Sequence, residues 1–343
     1  MNLVETAKLH LPYLHPGLIG ENAAEQILRL ASLFPEELSC DSLIFEHALN
    51  QSNIYADTAV MLDMQKRTLD QLYKSLNSIS NALSKKQHWI NFLQFLDHCQ
   101  QEDALAKSLL FFWLIFDQNV SKDWPPDPCV YFRFNSHDHF HQIEPVRRFF
   151  TEEPLHPDVL NSLERCYKIA SEFNLCIKGI GLMCTRSLGT IRVHMAGDSL
   201  KSCLQPYLLA VGYPFDVGPV LDLLKQLDPY LGSICLSFDV GRSIQDRIGI
   251  ECYINMPELF FHEKEIWNKL LSSLSLSKIF SPEKKDLLLN WIGIQRITEE
   301  NSHYFLIRNL NHIKIIFDKT GISSIKSYLG VWPGSGSLLC SVT

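Results

Sequence analysis

Along this chain, apolar and polar residues alternate singly in ten short stretches, and between those stretches apolar residues recur every three or four positions. Single alternation is the period of a half-buried strand, and a three-to-four repeat is that of an amphipathic helix. The strand-like stretches come in pairs. After a short helical stretch at Glu21 to Leu33, "DSLIFEHALN" and "YADTAVMLDM" make the first pair. Helical spacing follows from Lys66 to Ser84 and from His88 to Cys99, as in "LDQLYKSL" and "WINFLQFL". The second pair lies at 108–117 and 129–135, the third at 176–184 and 189–195, and the fourth at 232–240 and 248–255. The last is "HIKIIFDKTGISSIKSYLGVW", residues 312–332, around a turn at Asp318 to Gly321. One or two helical stretches separate successive pairs, including 160–173, "DVGPVLDLLKQL" and "EKKDLLLNWI".

Hairpins separated by helices do not suit a doubly wound parallel sheet, which needs single strands alternating with helices. They suit a sheet with one face covered by helices, and ten strands in one sheet favour closure. The pattern therefore predicts an α+β fold: a ten-stranded antiparallel β-barrel built from hairpins and surrounded by helices. No linker or charge run interrupts it, so residues 1–343 read as one domain, with about 20 N-terminal and about 10 C-terminal residues as tails. "GVWPGSGSL" belongs to the second tail; it has no helix after it and is no phosphate loop.

Each strand has two distinct faces. Val130, Phe132 and Phe134 oppose Tyr131, Arg133 and Asn135; Ile191, Val193 and Met195 oppose Arg192 and His194. Ile234, Leu236 and Phe238 oppose Ser237 and Asp239, while Ile248, Ile250 and Ile254 oppose Glu251, Tyr253 and Asn255. In the last pair Ile313, Ile315, Phe317, Ile325, Leu329 and Val331 face one way, and His312, Lys314, Lys326 and Tyr328 the other. A sheet with one face in water alternates too. Here the second face mixes single cations with tyrosines, serines and Trp113 and lacks dense Lys/Glu decoration, which points to an enclosed lumen.

Composition narrows the function. The chain has 31 Lys and Arg against 38 Asp and Glu, a net charge of -7, so it has no general attraction to nucleic acid or an anionic membrane. No stretch reaches the length of a spanning helix or a signal segment, and the expected location is cytoplasmic. Ten cysteines show no C-x-x-C pair and read as small apolar residues.

Five hairpins joined by helices, with the K-x-Y spacing of Lys326 and Tyr328, resemble the αββα (ABBA) barrel of the aromatic and peptide prenyltransferases. The chain also resembles a set of bacterial proteins sharing "FFWLIFD", "RIGIEC" and "HIKIIF", which read W-L-E-F-D where this chain has Ile115 between Leu114 and Phe116. The first resemblance implies transfer of an allylic prenyl group from a prenyl diphosphate to an aromatic small molecule or peptide side chain, with both substrates in the lumen. The alternative is a non-catalytic ligand- or peptide-binding barrel of a natural-product pathway.

A prenyl diphosphate needs several cations and hydroxyl donors. Arg133, Arg192, Lys314 and Lys326, with Lys178 beside them, are the inward cations; Tyr131, Tyr253 and Tyr328 supply donors and aromatic faces for an allylic cation. Glu251 is the first candidate for the base, with Asp117 and Glu46 as alternatives and cross-strand pairing of Glu251 with Lys314 or Lys326 as its plain structural reading. Without ligand the inward cations repel one another, so Lys314→Met or Lys326→Met is expected to spare folding. No aspartate-rich Mg²⁺ motif is present, which predicts no required cofactor and leaves Mg²⁺ optional. In "NSHDHFHQIE", His137, His139 and His141 have the alternation of a metal site with Asp138 and Glu144 nearby, and read as a solvated loop.

Overall fold

The computed structural model describes residues 2–36, 42–50, 55–64, 66–79, 83, 85–101, 103–117, 124–135, 139–151, 154–185, 189–254, 262–276, 280–299 and 302–335. Its strands are β1 (Ser42–Ala48), β2 (Ala56–Asp63), β3 (Leu109–Phe116), β4 (Pro128–Phe134), β5 (Cys176–Leu182), β6 (Ile191–Ala196), β7 (Leu231–Val240), β8 (Ile244–Ile254), β9 (Gly293–Glu299), β10 (Ser302–Asp318) and β11 (Gly321–Ser335). The sheet runs β11-β1-β2-β3-β4-β5-β6-β7-β8-β10, every neighbouring pair whose register is defined is antiparallel, and β10 pairs with β11 to close the ring. Ten strands thus form the expected barrel, and helices cover its outside.

The alternation seen in sequence is the two-sided wall of this barrel. Phe45, Phe112, Leu114, Val130, Phe132, Val193, Leu236, Ile250, Ile313, Ile315 and Leu329 point outward and are at most 1% exposed, because helices lie against them. The packing is aromatic over β3 and β4: Phe95 from the helix Gln87–Gln101 lies 5.2 Å from Phe132 and 6.2 Å from Phe112, ring centre to ring centre. Each such ring contributes about 1.5–3 kcal/mol on burial. Two fully buried indoles satisfy their N–H groups on backbone carbonyls, Trp89 on Pro126 and Trp291 on Asn309, both at 3.0 Å.

Three features differ from the sequence expectation. The first twenty residues are not a tail: Leu3–His10 is a helix with an Asn2–Glu5 capping box, and Leu3, Ala7 and His10 are buried in the core. The last hairpin begins ten residues earlier than the alternation suggests, since β10 spans Ser302–Asp318, and its first half pairs with β9, a strand outside the ring of ten. Part of "GVWPGSGSL" belongs to β11, which runs to Ser335; residues 336–343 lie outside the described residues.

Candidate functional site

Lumen-facing side chains of nine barrel strands line two adjoining cavities. One, of about 250 Å³, is mostly aromatic and apolar, with Phe111, Trp113 and Ile115 from β3, Tyr131 from β4 and Tyr253 from β8. The other, of about 340 Å³, is polar, with Arg247, Lys326, Asp239, Ser237 and Ser324 in its wall. Glu46, Arg192, Lys314 and Tyr328 border both, so the two communicate through a charged partition. Together they fall within the volume range of small-molecule sites.

The cations are held by carboxylates on neighbouring strands. Arg192 on β6 donates two hydrogen bonds to Asp239 on β7, Nε to Oδ1 at 2.8 Å and Nη2 to Oδ2 at 2.9 Å. Their backbones are directly paired, which fixes the bidentate geometry. Lys314 on β10 faces Glu251 on β8 in register and donates to its Oε1 at 3.1 Å. Lys326 on β11 donates to Glu46 on β1. This corrects the expectation of mutually repelling lumen cations: three of the four have carboxylate partners. Arg133 lines the aromatic cavity two residues along β4 from Tyr131.

Glu251 is the centre of this network. Besides Lys314 it accepts from the Tyr253 hydroxyl at 3.1 Å, and His194 Nδ1 lies 3.4 Å from its Oε1. Burial pushes its carboxyl up, but Lys314, then His194 and His312, pull it down, and it ends well below the usual carboxylate range. Asp239 is likewise lowered, Arg192 outweighing burial. Burial drives Lys314 below its ordinary value against the pull of Glu251, and raises Tyr131, Tyr253 and Tyr328 so that their hydroxyls keep their protons.

The aromatic residues are ordered as well. His312 stacks on Tyr328 at 4.0 Å and leans on Tyr253 at 4.8 Å, and Tyr131 meets His194 edge-on at 4.7 Å. A bulge between Leu310 and His312 in the pairing with β11 puts Asn311 and His312 on the lumen side together, against the alternation of a regular strand. The lumen also needs residues without side chains. A Cβ on Gly179 would overlap the Phe132 carbonyl and the Tyr131 ring, and one on Gly249 would overlap Lys314.

Of the candidates from sequence, the structure brings together Glu46, Glu251, Arg133, Arg192, Lys314, Lys326, Tyr131, Tyr253 and Tyr328. Asp117 lies just beyond β3, buried, accepting from the Thr185 hydroxyl at 3.0 Å, and does not line either cavity. Lys178 sits in a bulge between Ile177 and Gly179 and does not line them either. Arg247, Tyr55, Asp57 and Asn311 also line the cavities and are not among the sequence candidates. Arg247 precedes the apolar run that defined β8 in sequence, although it keeps the spacing of Gly249, Glu251 and Tyr253; Asn311 has no sequence signal because the bulge breaks the alternation.

The reading of the histidine stretch as a solvated loop fails at His139. His139 is 2% exposed, its ring stacked on Phe134 at 4.1 Å, and Nε2 lies 2.7 Å from the Tyr167 hydroxyl. His141 is exposed, Glu144 bonds Arg147 and Arg148, and His137 and Asp138 lie outside the described residues. Among the described residues no group of three or more His, Cys, Asp or Glu is placed to hold a metal ion, and no helix is long and apolar enough to cross a membrane.

No protein-family model matches the sequence, and a search of curated proteins finds no match. Solved structures do match over nearly the whole chain. AnaPT from Neosartorya fischeri aligns with 98% of this chain and 94% of its own, at 12% identity and a TM-score of 0.56. The prenyltransferase PriB, in a ternary complex with L-tryptophan and dimethylallyl thiolodiphosphate, aligns with 98% of this chain and all of its own, at 9% identity and a TM-score of 0.56. The 6-dimethylallyltryptophan synthase of Micromonospora olivasterospora, in complex with DMASPP and Trp, covers 95% of this chain and 93% of its own, at 10% identity and a TM-score of 0.52. The fold of this protein is that of the αββα-barrel prenyltransferases.

Proposed function

We propose that this chain is a prenyltransferase, moving an allylic prenyl group from a prenyl diphosphate to an aromatic small molecule or an aromatic peptide side chain inside the barrel. The observation that carries this reading is the pair of joined cavities, one cationic and one aromatic, with Arg192, Lys314 and Tyr328 in the partition. A diphosphate head suits the polar cavity, where Arg192, Arg247, Lys314 and Lys326 outnumber Glu46 and Asp239 by two. The prenyl chain and the acceptor ring suit the aromatic cavity.

In this arrangement the cations stabilise the charge that builds on diphosphate as the allylic C–O bond breaks. Its oxygens take over hydrogen bonds that Glu46 and Asp239 now accept, so the carboxylates keep the cations in place until the substrate arrives. Tyr131, Tyr253, Trp113 and Tyr328 present π faces to the allylic cation, each worth about 0.5–2 kcal/mol, and exclude water that would quench it.

A second reading, a non-catalytic barrel that holds a peptide or small molecule, is favoured by the three internal ion pairs and by Ile115, an apolar residue where the similar bacterial sequences carry a carboxylate. The discriminating experiment incubates the protein with dimethylallyl, geranyl or farnesyl diphosphate and a panel of indoles, phenols and Trp- or Tyr-containing peptides, with and without Mg²⁺. Mass spectrometry should find an acceptor heavier by one prenyl group. Absence of any prenylated product and of diphosphate release across the panel would leave the binding barrel as the better account.

A further inference from the structure

Several titratable side chains face the lumen without a part in diphosphate binding, and His194 on β6 is the best placed of them. It lines the aromatic cavity, its side chain is 20% exposed, and its Nδ1 stands 3.4 Å from Glu251 Oε1. A carboxylate only accepts, so its presence on this side favours the imidazole proton on Nδ1, with the lone pair on Nε2. His10, His47 and His312 each have Nε2 sealed away from solvent with no partner, and neither nitrogen of His194 is sealed in this way. Glu251 itself is committed, with Lys314 on Oε1 and the Tyr253 hydroxyl on Oε2.

We propose that His194 and Glu251 form a dyad in which His194 Nε2 accepts the proton that the prenylated aromatic ring must lose, and Glu251 is the positioning residue that fixes the tautomer. This rests on the transferase reading. The allylic C–O bond breaks with its electron pair leaving on diphosphate; a ring atom of the acceptor bonds to the allylic carbon; the proton on that atom passes to Nε2, giving an imidazolium that later returns it to water. An arenium cation is strongly acidic, so a weakly basic, neutral imidazole suffices. The groups facing His194 are Glu251 and Tyr253 on β8, Lys314 and His312 on β10, Tyr131 on β4 and its strand neighbour Arg192. Lys314 and Arg192 oppose a second positive charge there, and the diphosphate released beside them relieves that opposition.

The test has two independent readouts. Nitrogen-15 NMR of histidine-labelled protein at pH 7 should show His194 protonated on Nδ1 and bare on Nε2, a pattern that Glu251→Gln abolishes; the opposite tautomer or an imidazolium in the wild type overturns the dyad. The second readout compares diphosphate release with acceptor prenylation in His194→Gln. Prenylation should drop at least a hundredfold, while diphosphate release falls much less, because ionisation needs no base and a cation that cannot complete transfer persists until residual water captures it, and added imidazole should restore part of the transfer to His194→Ala. A parallel fall in release and transfer, with no rescue, overturns the base role in favour of a structural one. If the wild type releases no diphosphate from any allylic substrate, the transferase reading and the base role fail together, whereas a failure confined to His194→Gln leaves the transferase reading standing.

Discussion

Lys314 sits in the lumen wall with its ammonium on Glu251, each side chain less than a tenth exposed. A buried pair adds little net stability compared with an apolar pair, but deleting one partner strands the other charge, at a cost of about 3–5 kcal/mol. Lys314→Met should therefore destabilise the protein by that amount in denaturant titration, and Lys314→Met/Glu251→Gln should recover most of it; a single variant as stable as wild type would contradict the pairing. This reverses what the sequence suggested for the same substitution. Alternation placed Lys314 and Glu251 on lumen faces correctly and even raised their pairing, because face depends only on strand parity. It gave no register between β8 and β10, between which lie the helices Glu263–Leu276 and Pro282–Trp291 and β9, so the partner of each remaining cation stayed hidden.

At the scale of elements, the lumen is shaped by where strands lack side chains and where they bulge. Gly179 on β5 lies against the Phe132 carbonyl and Tyr131 on β4, and a carbonyl in a paired strand has nowhere to move. Gly179→Ala should cost about 1–3 kcal/mol through overpacking and turn Tyr131 out of the cavity, checked by thermal unfolding together with the Tyr131 fluorescence environment or a crystal structure; an unchanged stability would mean that β4 and β5 are not so closely apposed. The ten barrel strands were legible because helices bury one face of each and leave a clean two-residue period. The strand β9 was not, since it lies outside the ring and "GIQRITE" lacks that period. The N-terminal helix gives no periodic signal, because eight residues are too few to establish a helical repeat, although its capping box is visible in "NLVE".

Over the whole molecule, acid should weaken the fold. Burial lowers His10, His47 and His312 from 6.5 to about 4, and lowers His194 as well. Below about 6.5 the unfolded chain takes up protons that the folded chain refuses until pH 4, so stability is fully present above 6.5 and lost as the pH falls toward 4. Glu263 runs the other way: burial raises it to about 7, and the stability it adds is present below 4.5 and lost as the pH rises through 7. Four histidines outweigh one carboxyl. Calorimetry should find Tm falling steadily from pH 6.5 to 4, and a flat profile over that window would show the histidines to be solvated.

The central claim is that the partition between the two cavities receives an allylic diphosphate, and calorimetric titration of the wild-type protein tests it most directly. Dimethylallyl thiolodiphosphate, which resists ionisation, should bind at micromolar to sub-millimolar concentration, inorganic pyrophosphate more weakly because it leaves the aromatic cavity unfilled, and Arg192→Gln should weaken both by one to two decades, since a charge-assisted contact is worth about 1.5–3 kcal/mol. Failure of the wild type to bind either anion at millimolar concentration would mean that the lumen cations serve only their carboxylate partners, and would contradict the account.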